Sequence, residues 1–370
     1  VRVNLVKHES RASTLFDLIR FMVALMVVVF HGGVELVPGY EAVMVFFVLS
    51  GLFISSSVVK QISENRWSWK VYLVNRLSRL WVVLIPALFL ALFWAKLRIG
   101  IFGNEEKFVR GLGSDIFLGN MFFLQGIFTP VFALNGPLWS LAYEFWYYIL
   151  FPCIVHIFYA PKKSTKALYL AFVVLLLFFL GKEILIYFPV WLLGSLVVLI
   201  KPLLILKKLH RKLIIFAAAL FTFLSINLLY IIFQTNHALD SEVQLFIDYL
   251  VAFSFSVLCY VIMSLYNDNR EDKSLKIPQL CKYLAGFSYT LYLTHYPILH
   301  FVRDYTLSPD FDLNLSSLVS MLVINPLILL TVILYALLIS RYTEKHTNKV
   351  RQFVLKNLKR EKYLKQDATL

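Results

Sequence analysis

The chain has 370 residues, 59% of them hydrophobic, with a mean hydropathy of +0.73 and a formal net charge of +14. That composition excludes an ordinary soluble domain, because apolar runs of roughly 17–26 residues recur from end to end. The basic excess does not point to nucleic acid: Lys and Arg fall in short connections between the apolar runs, the pattern that sets membrane topology.

The expected fold is an all-α, polytopic transmembrane helical bundle of about ten spans plus a re-entrant or interfacial helix, both termini cytoplasmic. Residues 1–12 read as a cytoplasmic N-terminal segment, 13–340 as the transmembrane domain and 341–370 as a basic amphipathic cytoplasmic tail. Span one runs from Ser13 to Glu35 and is too long, with an arginine in its middle, for a cleavable signal sequence. Span two covers Ala42 to Val59. A basic loop follows, carrying Lys60, Arg66, Lys70, Arg76 and Arg79, with Trp67, Trp69 and Trp81 as interfacial anchors. Span three runs from Leu80 to Ala95. Between 96 and 137 the best apolar stretch, Ile116 to Phe128, is broken by Gly119, Asn120, Gln125 and Gly126 and reads as the non-spanning helix.

Span four opens at Asn135-Gly136-Pro137, a cap-like residue with a first-turn proline, and ends near Tyr159. Spans five to ten are Ala167–Leu180, Ile184–Ile200, Leu213–Phe233, Val243–Leu265, Tyr283–Val302 and Leu315–Ser340. On this topology 29 of the 36 Lys and Arg lie in cytoplasmic pieces. Cys153, Cys259 and Cys281 read as small packing residues, and no His/Cys/Asp/Glu cluster suggests a metal.

Ionisable groups inside a span are costly and normally face a protein interior or a wet cavity. Asp17, Arg20 and His31 share one stripe of span one, with Arg20 and His31 about 16 Å apart along the axis. His31 suits a general base or a backbone hydrogen bond. Asp17 closes a Thr14-Leu-Phe-Asp17 capping pattern, so it either caps the helix or belongs to the site. Arg20 suits phosphate oxygens, as do Arg76 and Arg79 unless those two are topology signals alone. Glu144 lies about two turns into span four, with Ser140 one turn before it and Tyr143, Tyr147 and Tyr148 around it. His295 is the other intramembrane histidine of interest, for packing or for the site. His156, His237 and His300 read as peripheral.

FDLIRFMVALMVVVFH resembles the opening signature of the type-3 membrane acyltransferase family, an arginine and a histidine with ten residues between them in span one. VMVFFVLSGLFIS, with Ser50-Gly51, resembles its second-span motif, and NRLSRL supplies Arg76 and Arg79 where the family is arginine-rich. PLWSLAYEFWYYILFP, with Trp139 and Glu144, is similar to its Trp-Ser-Leu-x-x-Glu block. FSYTLYLTHYPIL, with Tyr292 and His295, resembles a further block, and YFPVWLLG another segment. Leu52, Asn75 and Ile19 depart from the usual residues.

The resemblance implies transfer of an acyl group from cytoplasmic acyl-CoA, acetyl-CoA by habit, to a sugar hydroxyl of a surface polysaccharide or its lipid-linked precursor. It places such a protein in a bacterial inner membrane, with acyl-CoA, a sugar acceptor, the bilayer and polysaccharide assembly machinery as partners, and no metal or nucleic acid. His31, Glu144 and Asp17 would then be catalytic. Arg20, Arg76 and Arg79 would hold the cofactor, and Ser50, Trp139, Tyr292 and His295 the acceptor. The rival readings are a glycan transporter or flippase without acyl transfer, and a non-catalytic subunit of a glycan assembly complex.

Overall fold

Ser10 begins the first helix. Its hydroxyl accepts from the Ser13 amide at 3.1 Å and caps α1 (Arg11–His31). Asp17 therefore sits two turns inside the helix, and the Thr14–Asp17 capping pattern is not used. Gly32 closes α1, its amide donating to Val28, and Gly33 turns the chain with φ of 94°, a conformation that favours glycine. This computed structural model describes residues 4–7, 9–34, 37–103, 106–202, 208–235, 241–267, 276–306 and 325–367.

Helices dominate the rest: α2 (Gly39–Ser63), α3 (Trp69–Phe102), the short α4 (Glu106–Arg110) and α5 (Ser114–Met121), then α6 (Leu138–Tyr159), α7 (Lys163–Ile186) and α8 (Phe188–Leu199). They are followed by α9 (Lys208–Thr235), α10 (Ser241–Tyr266), α11 (Lys276–Ala285), α12 (Ser288–Thr306), α13 (Asn325–Tyr342) and α14 (Thr347–Asp367). Among the described residues, eight helical segments are long and apolar enough to cross a membrane: α1, α2, α3, α6, α7, His210–Asn227 of α9, Glu242–Tyr266 of α10 and Asn325–Leu358, which contains α13. Helix α8 is apolar but only 12 residues long. Helix α12 has the length, but it carries His295 and, in its second half, His300, Arg303 and Asp304.

Several boundaries differ from the hydropathy reading. Helix α3 starts at Trp69, capped by Ser68, so Arg76 and Arg79 ride on a helix rather than a loop. It continues past Ala95 to Phe102, because Lys96 and Arg98 end the apolar window without ending the helix, and Gly103 stops it. At 34 residues α3 is about 51 Å long, well beyond a bilayer's hydrocarbon thickness. The Ile116–Phe128 stretch yields only the eight-residue α5, about 12 Å, too short to span. The Asn135 side chain does not cap α6; its Nδ2 donates to the Leu293 carbonyl at 3.1 Å. Span nine breaks at Gly286–Phe287, where the Ser288 hydroxyl donates to Ala285. Residues 315–324 of span ten, and His237, lie outside the described residues.

The chain divides into two compact units, one of residues 1–65 and 139–288, the other of 66–138 and 289–370. In the first, α2 is the central helix, 78% of its apolar window buried, packed against α1, α8 and α10. Helix α11 covers α1 and α9 covers α10. Asn267 ties the N-terminal segment down, accepting from the Lys7 amide at 2.9 Å and donating to Leu5 at 2.7 Å. In the second unit, α3 packs against α5 and α14. There Glu344 accepts from the amide and hydroxyl of Thr290, at 3.2 and 2.9 Å, placing a carboxylate at the positive end of α12. The three cysteines are buried thiols, as their neighbours in sequence suggest.

Candidate active site

The first unit holds Asp17, Arg20, His31, Ser50, Trp139 and Glu144. Arg20 Nη1 donates to Asp17 Oδ1 at 3.1 Å, one turn back on α1, with both side chains about one-fifth exposed. The guanidinium also lies 5.0 Å from the centre of the Phe53 ring on α2, so its apolar and charged faces are both supported. His31 is the last residue of α1, half-buried, with its ring edge-on to Phe30 at 5.3 Å. The helix is unbroken between them, so the stripe joining Arg20 to His31 is preserved.

Three helices meet around Ser50 and Glu144. Trp191 on α8 donates its indole N–H to Ser50 Oγ at 3.1 Å, and Ser50 donates to Tyr148 Oη at 3.4 Å. Tyr148 in turn donates to Glu144 Oε1, one turn back on α6. Every member of this row is aimed the same way, ending on the carboxylate. Two glycines bring the helices close enough. A Cβ on Gly51 would lie 2.0 Å from the Trp191 carbonyl oxygen, and one on Gly194 would lie 1.9 Å from that of Val48. Small residues at such positions let helix backbones touch inside a membrane. Tyr148→Phe removes a hydrogen bond to a carboxylate, and is expected to cost about 1.5–3 kcal/mol in reversible unfolding from mixed micelles.

Trp139 lies beside this row. Its ring centre is 5.0 Å from Tyr143, 5.9 Å from Phe47 and 6.0 Å from Tyr187. Behind Tyr187 sits Asp248 of α10, fully buried, accepting from Tyr187 at 3.1 Å and from Gln244 at 3.1 Å. Sequence reasoning passed over Asp248, and took in Trp191 only as part of YFPVWLLG, with no role of its own. The signal for Asp248 was available, a lone carboxylate within an apolar run; nothing in the sequence set the Trp191 indole N–H against Ser50.

The second unit holds Arg76, Arg79, Tyr292 and His295, so the predicted cofactor arginines are divided between the units. The Arg76 guanidinium stacks over Tyr72 at 5.2 Å and is half-buried, whereas Arg79 is exposed. His295 is fully buried, with Nδ1 3.0 Å from the Leu291 carbonyl, which places its proton on Nδ1. Tyr292 donates to the Pro137 carbonyl at 3.3 Å. With the Asn135–Leu293 bond, this fixes the turn before α6 to α12. His300, expected to be peripheral, lines a cavity with Trp94, Arg98 and Tyr296. Arg98 and Asp304 form an ion pair there that connects α3 to α12. Among the described residues no group of three or more metal-ligating side chains converges.

The helices and their buried polar groups define a multi-pass membrane protein. A family model described as an acyltransferase domain matches residues 14–342. The chain belongs to this type-3 membrane acyltransferase family. It is 25% identical over 313 residues to the O-acetyltransferase OatA of Staphylococcus aureus (strain NCTC 8325 / PS 47), covering 78% of this chain and 51% of the relative. The peptidoglycan O-acetyltransferase OatA of Listeria monocytogenes is 27% identical over 177 residues, 44% of this chain and 28% of its own. An uncharacterized protein of Haemophilus influenzae is 32% identical over 142 residues, 37% of this chain and 56% of its own. The chain thus spans about half the length of the first of these curated relatives. No solved structure matches it.

Proposed function

We propose that the chain is an O-acyltransferase that moves an acyl group, acetyl by preference, from cytoplasmic acyl-CoA to a sugar hydroxyl of a surface polysaccharide or its lipid-linked precursor. The observation that carries this reading is α1, which places Arg20 and His31 on one stripe within a chain matched by the acyltransferase family from 14 to 342. Ten spans with both termini in the cytoplasm, in a bacterial inner membrane, orient α1 so that Arg20 is near the cytoplasm and His31 near the opposite face. The named activities of the staphylococcal and listerial relatives agree with the reaction class.

In this mechanism Arg20 binds a CoA phosphate, for which a forked guanidinium is suited. The roughly 16 Å from Arg20 to His31 matches an extended pantetheine arm. His31 takes the proton of the acceptor hydroxyl as its oxygen attacks the thioester carbonyl; the C–S bond breaks and CoA leaves as the thiolate, which then takes up a proton. Asp17 holds Arg20 in place, and Glu144 with Ser50 and Trp139 orients the acceptor.

The test is thioester turnover by the purified full chain in lipid nanodiscs. Release of CoA thiol from acetyl-CoA, dependent on oligosaccharides from the host's surface glycan and matched by their gain of acetyl mass, is the expected result. Glycan movement across proteoliposomes without thioester cleavage would instead identify a transporter, and neither activity a structural subunit.

A further inference from the structure

We propose that the cavity between α3 and α12 is a sugar-binding subsite, which receives the acceptor ring at the end of α3 away from Arg76 and Arg79. This rests on the acyltransferase reading for the identity of the acceptor. The cavity itself is a feature of the second unit alone. It has a volume of about 380 Å³, within the range of small-ligand sites.

Its walls have the chemistry a pyranose needs. Trp94, Tyr296 and His300 supply rings on which the C–H face of a sugar stacks, Tyr296 and His300 lying 4.3 Å apart. Ala91, Ala95 and Ala133 add short side chains to the lining. Arg98 lines the cavity, is 9% exposed and has its charge met by Asp304, which is not itself a lining residue. A guanidinium whose charge is already met offers N–H donors to neutral hydroxyls, with the Tyr296 hydroxyl and the His300 ring as further polar groups, and this suits a sugar better than a phosphate or a carboxylate ligand. Trp94 is held by donating to Tyr335 at 3.1 Å, so its ring is presented by the fold.

Depth supports the same assignment. Arg79 and Arg98 are on one helix, separated by about 28 Å of rise, one hydrocarbon thickness. A cavity at the Arg98 end is therefore across the membrane from the basic turns of α3, where an extracytoplasmic sugar is presented.

The experiment measures acetyl transfer by the full chain in nanodiscs, with oligosaccharides released from the host's surface glycan as acceptor. Two variants are compared: Ala95→Phe, which fills the cavity, and His300→Ala, which removes a stacking ring and serves if the first does not fold. Each is expected to raise KM for the oligosaccharide at least about tenfold while KM for acetyl-CoA moves less than about twofold. An oligosaccharide KM that is unchanged in a folded variant overturns the proposal and leaves the acyltransferase reading intact. So does displacement of the effect by added phospholipid, which would make the cavity a lipid site. If wild type transfers no acetyl group, equilibrium binding of the same oligosaccharides decides: weakened binding in the variants supports the subsite, and equal binding overturns it.

Discussion

His31→Ala is expected to lower acetyl transfer about 10²–10⁴-fold, the range for removing a general base. The residue ends α1, half-buried, and in the proposed mechanism this is where the acceptor hydroxyl and the thioester meet. The helix ends immediately after it at Gly32, so truncating the side chain leaves the rest of α1 in place, and the variant should reach the membrane at normal abundance. The measurement is acetyl mass on the surface glycan in a deletion strain, complemented with wild type or the variant at matched membrane levels. Acetylation restored in full by His31→Ala would remove this side chain from the chemistry and move the role to His295 or Glu144. Arg20→Ala, by contrast, should act mainly through KM for acetyl-CoA, since its proposed contact is with CoA phosphates rather than with the reacting atoms.

Gly51→Ala and Gly194→Ala are each expected to remove most folded protein from the membrane. A single added methyl meets a backbone carbonyl oxygen at 2.0 or 1.9 Å, and no flexible side chain is there to yield. The helices must separate, and with them Trp191 and Ser50. Overpacking a well-fitted core costs typically about 1–3 kcal/mol, and a backbone contact on both sides puts these positions at or above the upper end. Gly100→Ala is the control. Nothing lies within 4 Å of its would-be Cβ on exposed α3, so it should be tolerated, with a gain of about 0.5–1 kcal/mol from helix propensity. Membrane abundance and detergent melting separate the two outcomes. Equal melting of all three variants would mean that α2 and α8 are not packed through these glycines.

Much of this architecture is legible in the sequence. Lipid leaves helices as the simplest way to satisfy a spanning backbone, so apolar runs located α1, α2, α6 and α10 to within a few residues. Periodicity alone placed Asp17, Arg20 and His31 on one face. What hydropathy could not supply was the length of α3, because its last turns carry Lys96 and Arg98 and a polar helical turn reads as loop. Nor could it pair Arg98 with Asp304, or Trp191 with Ser50, since such partners are far apart in sequence and each looks ordinary in its own segment. The break at Gly286–Phe287 was hidden for the opposite reason: both sides are apolar, and only the hydrogen bonds reveal the turn.

In the row from Trp191 to Glu144, the first member sets the direction of the rest. An indole N–H can give a proton to a hydrogen bond but cannot accept one. With Trp191 at its head, the Ser50 and Tyr148 hydroxyls have a single favourable orientation, and reversing either would set two donors against each other. A proton wire needs hydroxyls that can turn around between transfers. This row is poled instead, so it cannot conduct; it fixes where the Glu144 carboxylate points and leaves proton traffic to another group.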